Sequence, residues 1–433
     1  MIAVANQQLT LDEEQQSAVD LIQRGANVFL TGMAGTGKSA TLLEFISQSF
    51  RRVDVCATTG IAALNLQDQF RARAGIQLPA HTIYRWAGIL TGPAPAQNPE
   101  DFFKFLSQKN IGAAHGVVKR IQNCEALIID EISMLPGAVL DYLDYHFQRI
   151  RENKRPFGGI QLIVVGDFLQ LPPVAKDGKY DWAFQSGSWK SAGFKFVYLK
   201  KIHRQDEPEF IQALNAFRLG RIGRETAAIL ANRVKMFVDR KVVRLMTHNR
   251  QVDKWNAYQI GEIEGEETSY PAYFEGPEQE CDFLRKNSIT PEVLTIKPGV
   301  RVMVTANIRL EWGGYLVNGQ CGTVLEVDRD RVAVDIDDGG CSVIKCHAWT
   351  YDPQRENSAK MVQIPLRPAY AMTIHKSQGL TLQKAHIDIR AAREPGQAYV
   401  ALSRLRSLEG LYLKDWIKGV YVSDAAIRFY ENL

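Results

Sequence analysis

Gly32-Met33-Ala34-Gly35-Thr36-Gly37-Lys38-Ser39 is the stretch that decides how this chain is read. It fits the pattern Gly-x-x-x-x-Gly-Lys-Ser/Thr, follows the apolar run Val28-Phe29-Leu30 and leads into helix formers from Ala40 onward. Glycines let backbone N–H groups wrap a phosphate at a helix N-terminus, where unpaired donors and the helix dipole favour negative charge. Lys38 is placed to neutralise the β- and γ-phosphates of a nucleotide, and Ser39 Oγ to ligate Mg²⁺. Gly32, Gly35, Thr36, Gly37, Lys38 and Ser39 are therefore the candidate nucleotide ligands, in a strand, loop and helix.

Working outward, short apolar runs keep ending at turn signals. Val53 to Cys56 precedes Thr58-Thr59-Gly60, Leu127-Ile128-Ile129 precedes Asp130, and Leu162 to Val165 precedes Gly166. Helical stretches at residues 40–49 and 138–150 lie between them. Strands alternating with helices predict a parallel sheet covered on both faces. Asp130-Glu131 follows its strand where a second sheet position delivers carboxylates. Asp130 is expected to hold Mg²⁺ through water and Glu131 to orient and deprotonate the attacking water, so the cofactors are ATP and Mg²⁺.

Two interruptions break the alternation. Residues 65–80 are polar, carry Arg71 and Arg73, and read as a small excursion from the sheet; residues 92–99, rich in Pro and Ala, read as a loop. From about Pro291 the texture changes to short β-branched runs around Val302, Val324 and Val334. Asp337-Asp338-Gly339-Gly340 is a hairpin signal. An all-β insert, a small barrel, is expected there, with helix-strand alternation resuming near Pro365 and a final helix at residues 424–430.

Composition narrows the class but not the partner. The chain has 433 residues, 45% apolar and 23% charged, which excludes disordered and fibrous classes. Lys and Arg number 52 against 48 Asp and Glu, a surplus of +4 that carries no weight for or against nucleic acid. The six cysteines form no C-x-x-C pair, and Cys341, Cys346 and His347 lack a second ligand pair for zinc. Reduced thiols, the polar N-terminal stretch and the lack of a long apolar run predict a soluble cytoplasmic protein without a targeting segment or membrane partner.

Beyond the phosphate loop, an ordered series of motifs resembles superfamily-one helicases, and within them the Pif family of 5′-to-3′ DNA helicases. Leu11-Asp12-Glu13-Glu14-Gln15-Gln16-Ser17-Ala18 resembles the Q motif, whose Gln15 is implied to read the adenine edge. Thr58-Thr59-Gly60-Ile61-Ala62-Ala63 resembles a loop that holds the DNA backbone. Gly166-Asp167-Phe168-Leu169-Gln170-Leu171-Pro172-Pro173-Val174 is similar to motif III, with Gln170 sensing the γ-phosphate. Thr247-His248 resembles a strand-end DNA contact, Thr373-Ile374-His375-Lys376-Ser377-Gln378-Gly379 motif V, and Gln397 to Arg404 motif VI. The most specific part is Glu131-Ile132-Ser133-Met134 continued by Pro156-Phe157-Gly158-Gly159-Ile160-Gln161-Leu162.

The resemblance implies an α/β fold of two RecA-like parallel-sheet motor domains. The first spans 1–190, with a short wedge-like insert at 64–81. The second spans 191–300 and 366–433, with the small β-barrel at 301–365. It implies Arg204 and Arg404 as arginine fingers, and Thr58, Thr59, Gly60, His81, Thr82, Arg85, Thr247, His248, His375, Lys376, Ser377 and Gln378 as DNA contacts. It also implies ATP-driven unwinding of duplex, with G-quadruplex and RNA–DNA hybrids as further candidate substrates, in replication, repair, recombination or telomere maintenance. Implied partners are single-stranded and duplex DNA and a single-strand-binding protein, and the expected enzyme is a nucleoid-associated bacterial monomer. One departure stands out: the family's T-I-H-S-F reads His81-Thr82-Ile83-Tyr84-Arg85-Trp86 here, which puts Arg85 where a phosphate contact is possible. Other readings are a different 5′-to-3′ branch of recombination or phage type, an ATP-switched DNA clamp, and a metabolic kinase.

Overall fold

The runs that end at turn signals form buried parallel strands, because Val, Ile and Leu on both faces of a strand suit a sheet covered by helices on either side. The computed structural model describes residues 11–89, 111–175, 178–234, 238–310, 315–337, 339–353, 355–416 and 419–433. The loop expected at 92–99 lies outside them, as does Asp338 of the hairpin signal. The chain forms two compact units: Met1–Leu66, Pro79–His203 and Asp424–Leu433 in the first, Gln67–Leu78 and Arg204–Ser423 in the second.

In the first unit, among the described residues, six strands form one sheet. They are β1 (Val28–Gly32), β2 (Val53–Ala57), β3 (Ala80–Thr82), β4 (Ala126–Asp130), β5 (Gln161–Val165) and β6 (Lys195–Leu199), in the order β3-β2-β4-β5-β1-β6. Every pairing is parallel. Helices α1 (Glu13–Gln23), α2 (Lys38–Gln48), α3 (Gly60–Ala74) and α4 (Ile83–Trp86) connect them, with Ile111–Asn123 and Gly137–Ile150 further on.

The expected excursion at 65–80 starts as helix: residues 65–74 continue α3, because Gly60–Ala74 is rich in Ala, Leu, Gln and Arg, all good helix formers. Gln67–Leu78 belongs to the second unit, where Gln67 Nε2 donates to Thr350 O at 2.8 Å and Arg71 Nη1 to Ala348 O at 3.4 Å. The final helix Asp424–Glu431, expected in the second motor domain, belongs to the first unit. Its Phe429 stacks on Phe184 at 4.4 Å and meets Phe168 edge-on at 5.3 Å, and Phe168 also packs on Phe29 of β1. Aromatic pairs of this kind add about 0.5–1.5 kcal/mol each beyond area burial.

The second unit has its own parallel sheet, in the order Ala371–Thr373, β7 (Val243–Met246), Ala385–Ile387 and Leu411–Leu413 among the described residues. Asn256 fixes its edge by two bonds to the Ala371 backbone, at 3.0 and 2.8 Å. The β insert is an antiparallel sheet in the order Gly340–Lys345, Arg331–Ile336, Cys321–Val327, Arg301–Val304 and Leu366–Pro368. It begins its structure earlier than residue 301. The ribbon Thr268–Pro271 with Val293–Ile296 contributes Tyr270, Leu294 and Ile296 to the same core as Val302, Val324 and Val334. A buried Arg301 pairs with Asp337 at the end of the hairpin strand. All six cysteines are free thiols. Among the described residues, no helix is long and apolar enough to cross a membrane.

Candidate ATP and DNA sites

Loops leave the carboxyl edge of the first sheet in the order of its strands, which puts five motifs in a row. At the end of β3 stand Thr82 and Arg85, at the end of β2 Thr58 to Gly60, of β4 Asp130 and Glu131, of β5 Gly166 to Gln170, and of β1 the phosphate loop. The order follows from topology alone.

The phosphate loop is held by its glycines. Gly32 has no room for a Cβ, which would sit 2.5 Å from Leu199 O; Gly37, at φ +82°, would put one 2.3 Å from Gln15 Nε2. Lys38 Nζ donates to Gly32 O at 2.9 Å and Met33 O at 3.0 Å, so the ammonium lies across the loop. Ser39 is half-buried in the first turn of α2. Gln15 completes a capping box with Asp12: its Oε1 accepts from Asp12 N at 3.0 Å and its Nε2 donates to Thr36 O at 3.2 Å. The carboxamide implied to read adenine therefore also fastens α1 to the phosphate loop. His203 closes the frame, donating its backbone N–H to Gly35 O at 2.8 Å and meeting Asp12 Oδ2 with its ring Nε2 at 3.1 Å. Burial opposes ionisation of Asp12, but the Gln15 N–H and His203 outweigh it and hold that carboxyl below its usual range. Sequence reasoning missed His203 because its partners lie far away in the chain.

Burial pushes the Asp130 carboxyl above the usual range, while the Glu131 N–H, which donates to Asp130 Oδ1 at 2.8 Å, and the Lys38 ammonium work the other way. Such a half-buried carboxylate near Lys38 suits a cation, and Asp130 with Ser39 provides the oxygen donors Mg²⁺ favours. Glu131 adopts φ 54°, ψ 43°, the left-handed region, which a non-glycine residue occupies at a cost of about 1–3 kcal/mol. The carbonyl of Glu131 accepts from Thr58 Oγ1 at 3.0 Å, and Asp130 O accepts from Thr58 N at 3.2 Å. Gln170 is buried, in a turn closed by its N–H on Asp167 O at 2.9 Å. Tyr430, also missed, accepts from Phe168 N at 3.1 Å and shares a 2.7 Å hydrogen bond with Thr31 Oγ1, just before the phosphate loop.

Candidate DNA contacts on this unit are adjacent, because Cys56 and Ala57 of β2 pair with His81 and Thr82 of β3. Thr59 Oγ1 caps α3 by accepting from Ala62 N, and Thr82 Oγ1 caps α4 by accepting from Arg85 N. Thr58 and His81 are buried, so their side chains serve the fold as well as any ligand. Phe168 and Trp86, aromatic side chains at this sheet edge, are fully buried core residues and offer no face to a base.

The second unit repeats the pattern. Met246 of β7 pairs with Thr373, and Ile374 N donates to Met246 O at 2.9 Å, which brings Thr247 and His248 beside His375 to Gln378. His375 Nε2 lies 3.3 Å from Glu394, whose carboxyl is held below its usual range by His375 first and His248 less. Burial lowers the Lys376 ammonium, with Arg367 adding to the effect. Gln378 Nε2 is buried without a hydrogen-bond partner, and Ser377 is fully buried. Arg204 and Arg404 come together: Arg204 Nη1 donates to Ser403 O at 3.0 Å, and Arg404 Nε donates to Val400 O at 2.8 Å.

The PIF1-like helicase family profile matches residues 10–84 and 100–228. The ATP-dependent DNA helicase Pif1 of Bdellovibrio bacteriovorus is 35% identical over 431 residues, 98% of this chain and 92% of its own. The crystal structure of Bacteroides sp. Pif1 in complex with ADP-AlF4 superposes with a TM-score of 0.81 at 31% identity, covering 98% of this chain and 96% of that one. Bacteroides Pif1 in complex with ADP-AlF3 and single-stranded DNA gives 0.65 at 32% identity, covering 98% and 97%. With a phosphate loop, paired carboxylates and two strand-edge loop sets in place, the chain belongs to the PIF1-like helicase family and is an ATP-hydrolysing DNA helicase.

Proposed function

We propose that this helicase translocates 5′ to 3′ along single-stranded DNA as a monomer and opens duplex ahead of it. The direction is that of the family the chain belongs to, and the observation that carries the coupling of hydrolysis to DNA is the shared sheet edge, where the proposed DNA loop at Thr58 is hydrogen-bonded to the segment Asp130-Glu131. Gln15 and residues 32–39 bind the nucleotide. Ser39 and Asp130 hold Mg²⁺, which supplies charge neutralisation at the β- and γ-phosphates. Glu131 accepts the proton of the attacking water, Lys38 and Gln170 engage the γ-phosphoryl group, and Arg204 and Arg404 supply positive charge against the negative charge that develops on the γ-phosphoryl oxygens in the transition state.

DNA is gripped by Thr58, Thr59, Gly60, His81, Thr82 and Arg85 on one unit and Thr247, His248, His375, Lys376, Ser377 and Gln378 on the other. Hydroxyl, amide and cationic groups facing phosphates carry no sequence information, as a translocating enzyme requires. Solved Bacteroides relatives bound to ADP-AlF3 and single-stranded DNA support both ligands. Glu131→Gln tests the assignment: nucleotide and DNA binding are retained while DNA-stimulated turnover is nearly lost. Free hydrolysis by that variant moves the base elsewhere.

A further inference from the structure

Arg404 follows a short helix, Gln397–Leu402, whose last carbonyls have no helical partner of their own. Part of that need is met locally, by Ser403 Oγ and Arg404 Nε, both donating to Val400 O. The rest is met from a distant segment. Gln205, only 1% exposed, donates through Nε2 to Ser403 O at 3.3 Å and to Leu405 O at 2.6 Å, the carbonyls on either side of Arg404. Ser403 O also accepts from Arg204 Nη1 at 3.0 Å, and Glu207 Oε2 accepts from Leu408 N at 3.0 Å. Leu382 N holds the same turn from below, donating to Arg404 O at 2.9 Å.

We infer that Gln205 is a positioning residue that clasps the Arg404 turn to the Arg204 segment, so that the two cations present themselves as one set. The inference rests on the reading of both arginines as fingers. A single carboxamide brackets the backbone of one finger while its neighbour in sequence is the other finger. Packing alone does not call for this side chain. Its Oε1 is buried without a hydrogen-bond partner, an orphan that costs about 1–3 kcal/mol and that Met or Leu of similar volume avoids. What an apolar residue lacks is the pair of donors on Ser403 and Leu405. Finger catalysis depends on placement, and a displacement of about 1 Å is enough for a loss on the order of 10²-fold.

Two variants remove the donors while keeping the volume, Gln205→Met and Gln205→Glu. Each is measured in the full chain for DNA-stimulated ATP turnover, KM for ATP, affinity for single-stranded DNA and thermal unfolding. The expected result is a fall in kcat of about 10- to 100-fold, with KM and DNA affinity within about threefold of the parent. The deciding arm is a double-mutant cycle with Arg404→Ala. If the clasp acts through Arg404, adding Gln205→Met to Arg404→Ala costs nothing further. Multiplying losses, or a kcat that tracks only lowered stability, overturns the clasp and leaves the fingers standing. A loss of only a few-fold in Arg404→Ala itself overturns the finger reading and the clasp with it.

Discussion

Thr58 donates its hydroxyl to the main-chain carbonyl of Glu131 at 3.0 Å. The same residue reaches Asp130 O with its backbone N–H, so the loop after β2 is bonded twice to the segment after β4. Parallel pairing of β2 with β4, Ala57 opposite Asp130, brings the two loops side by side and leaves the hydroxyl within reach. Glu131 sits in a left-handed conformation that the surroundings must maintain, and Thr58 is part of what maintains it. Under the proposed DNA grip at Thr58, a displacement of this loop bears directly on the backbone of the candidate base.

Thr58→Val keeps the β-branched shape and removes the donor. A hydrogen bond in this range contributes about 0.5–1.5 kcal/mol, up to roughly tenfold in rate if all of it serves coupling. The ratio of DNA-stimulated to DNA-free ATP turnover should drop by up to that factor. Equal loss in both rates makes the bond a structural one.

Arg204→Ala and Arg404→Ala should each lose at least ~100-fold of DNA-stimulated turnover, since arginine fingers contribute on the order of 10³–10⁵ in rate. Steady-state kinetics at saturating DNA checks this. Losses of a few-fold in both reduce the two residues to structural roles.

Tyr430→Phe deletes one oxygen and strands two buried groups, the Phe168 N–H and the Thr31 hydroxyl. Leaving buried polar groups unpaired costs about 1–3 kcal/mol each, with partial relief expected from relaxation. Urea unfolding should show a lower midpoint at unchanged slope. An unchanged midpoint means the tyrosine hydroxyl is dispensable.

Asp68 gives stability a pH dependence. Burial pushes its carboxyl up from 3.8 to about 7, against Arg71 and the backbone N–H of Asn307. Because the folded state favours the neutral acid, the contribution is complete below about pH 3.8 and is lost as pH rises through about 7. Asp68→Asn cannot ionise, so its advantage over the parent should grow as pH rises from about 3.8 to about 7 and be larger at pH 8 than at pH 5. Thermal unfolding across that range decides, and parallel curves for the two proteins contradict the assignment.

The features legible in the sequence are those whose cause is local. Lys38 and Asp130 stand out because a phosphate loop and a strand-end carboxylate each need a fixed run of neighbours, and the hydrophobic runs place their strands. Tyr430, Gln205 and His203 did not stand out, because each acts through partners far along the chain and looks like an ordinary surface residue in its own window. For residues 65–80 the polar composition marks a departure from the first sheet but not its form: the segment continues α3 to Ala74, with Gln67 bonded to a distant strand. Sequence proximity places the helix Asp424–Glu431 with the second unit, whereas Phe429 and Tyr430 bind it to the first through an aromatic cluster no periodicity reveals.

Unwinding polarity tests the central claim most directly, because nothing in the phosphate loop or the sheet order sets the direction of travel. Two partial duplexes are compared, one with a 5′ single-stranded tail and one with a 3′ tail, at matched salt because a phosphate grip weakens as salt rises. The account predicts ATP-dependent strand separation from the 5′ tail and little or none from the 3′ tail. Efficient unwinding from the 3′ tail alone would contradict it.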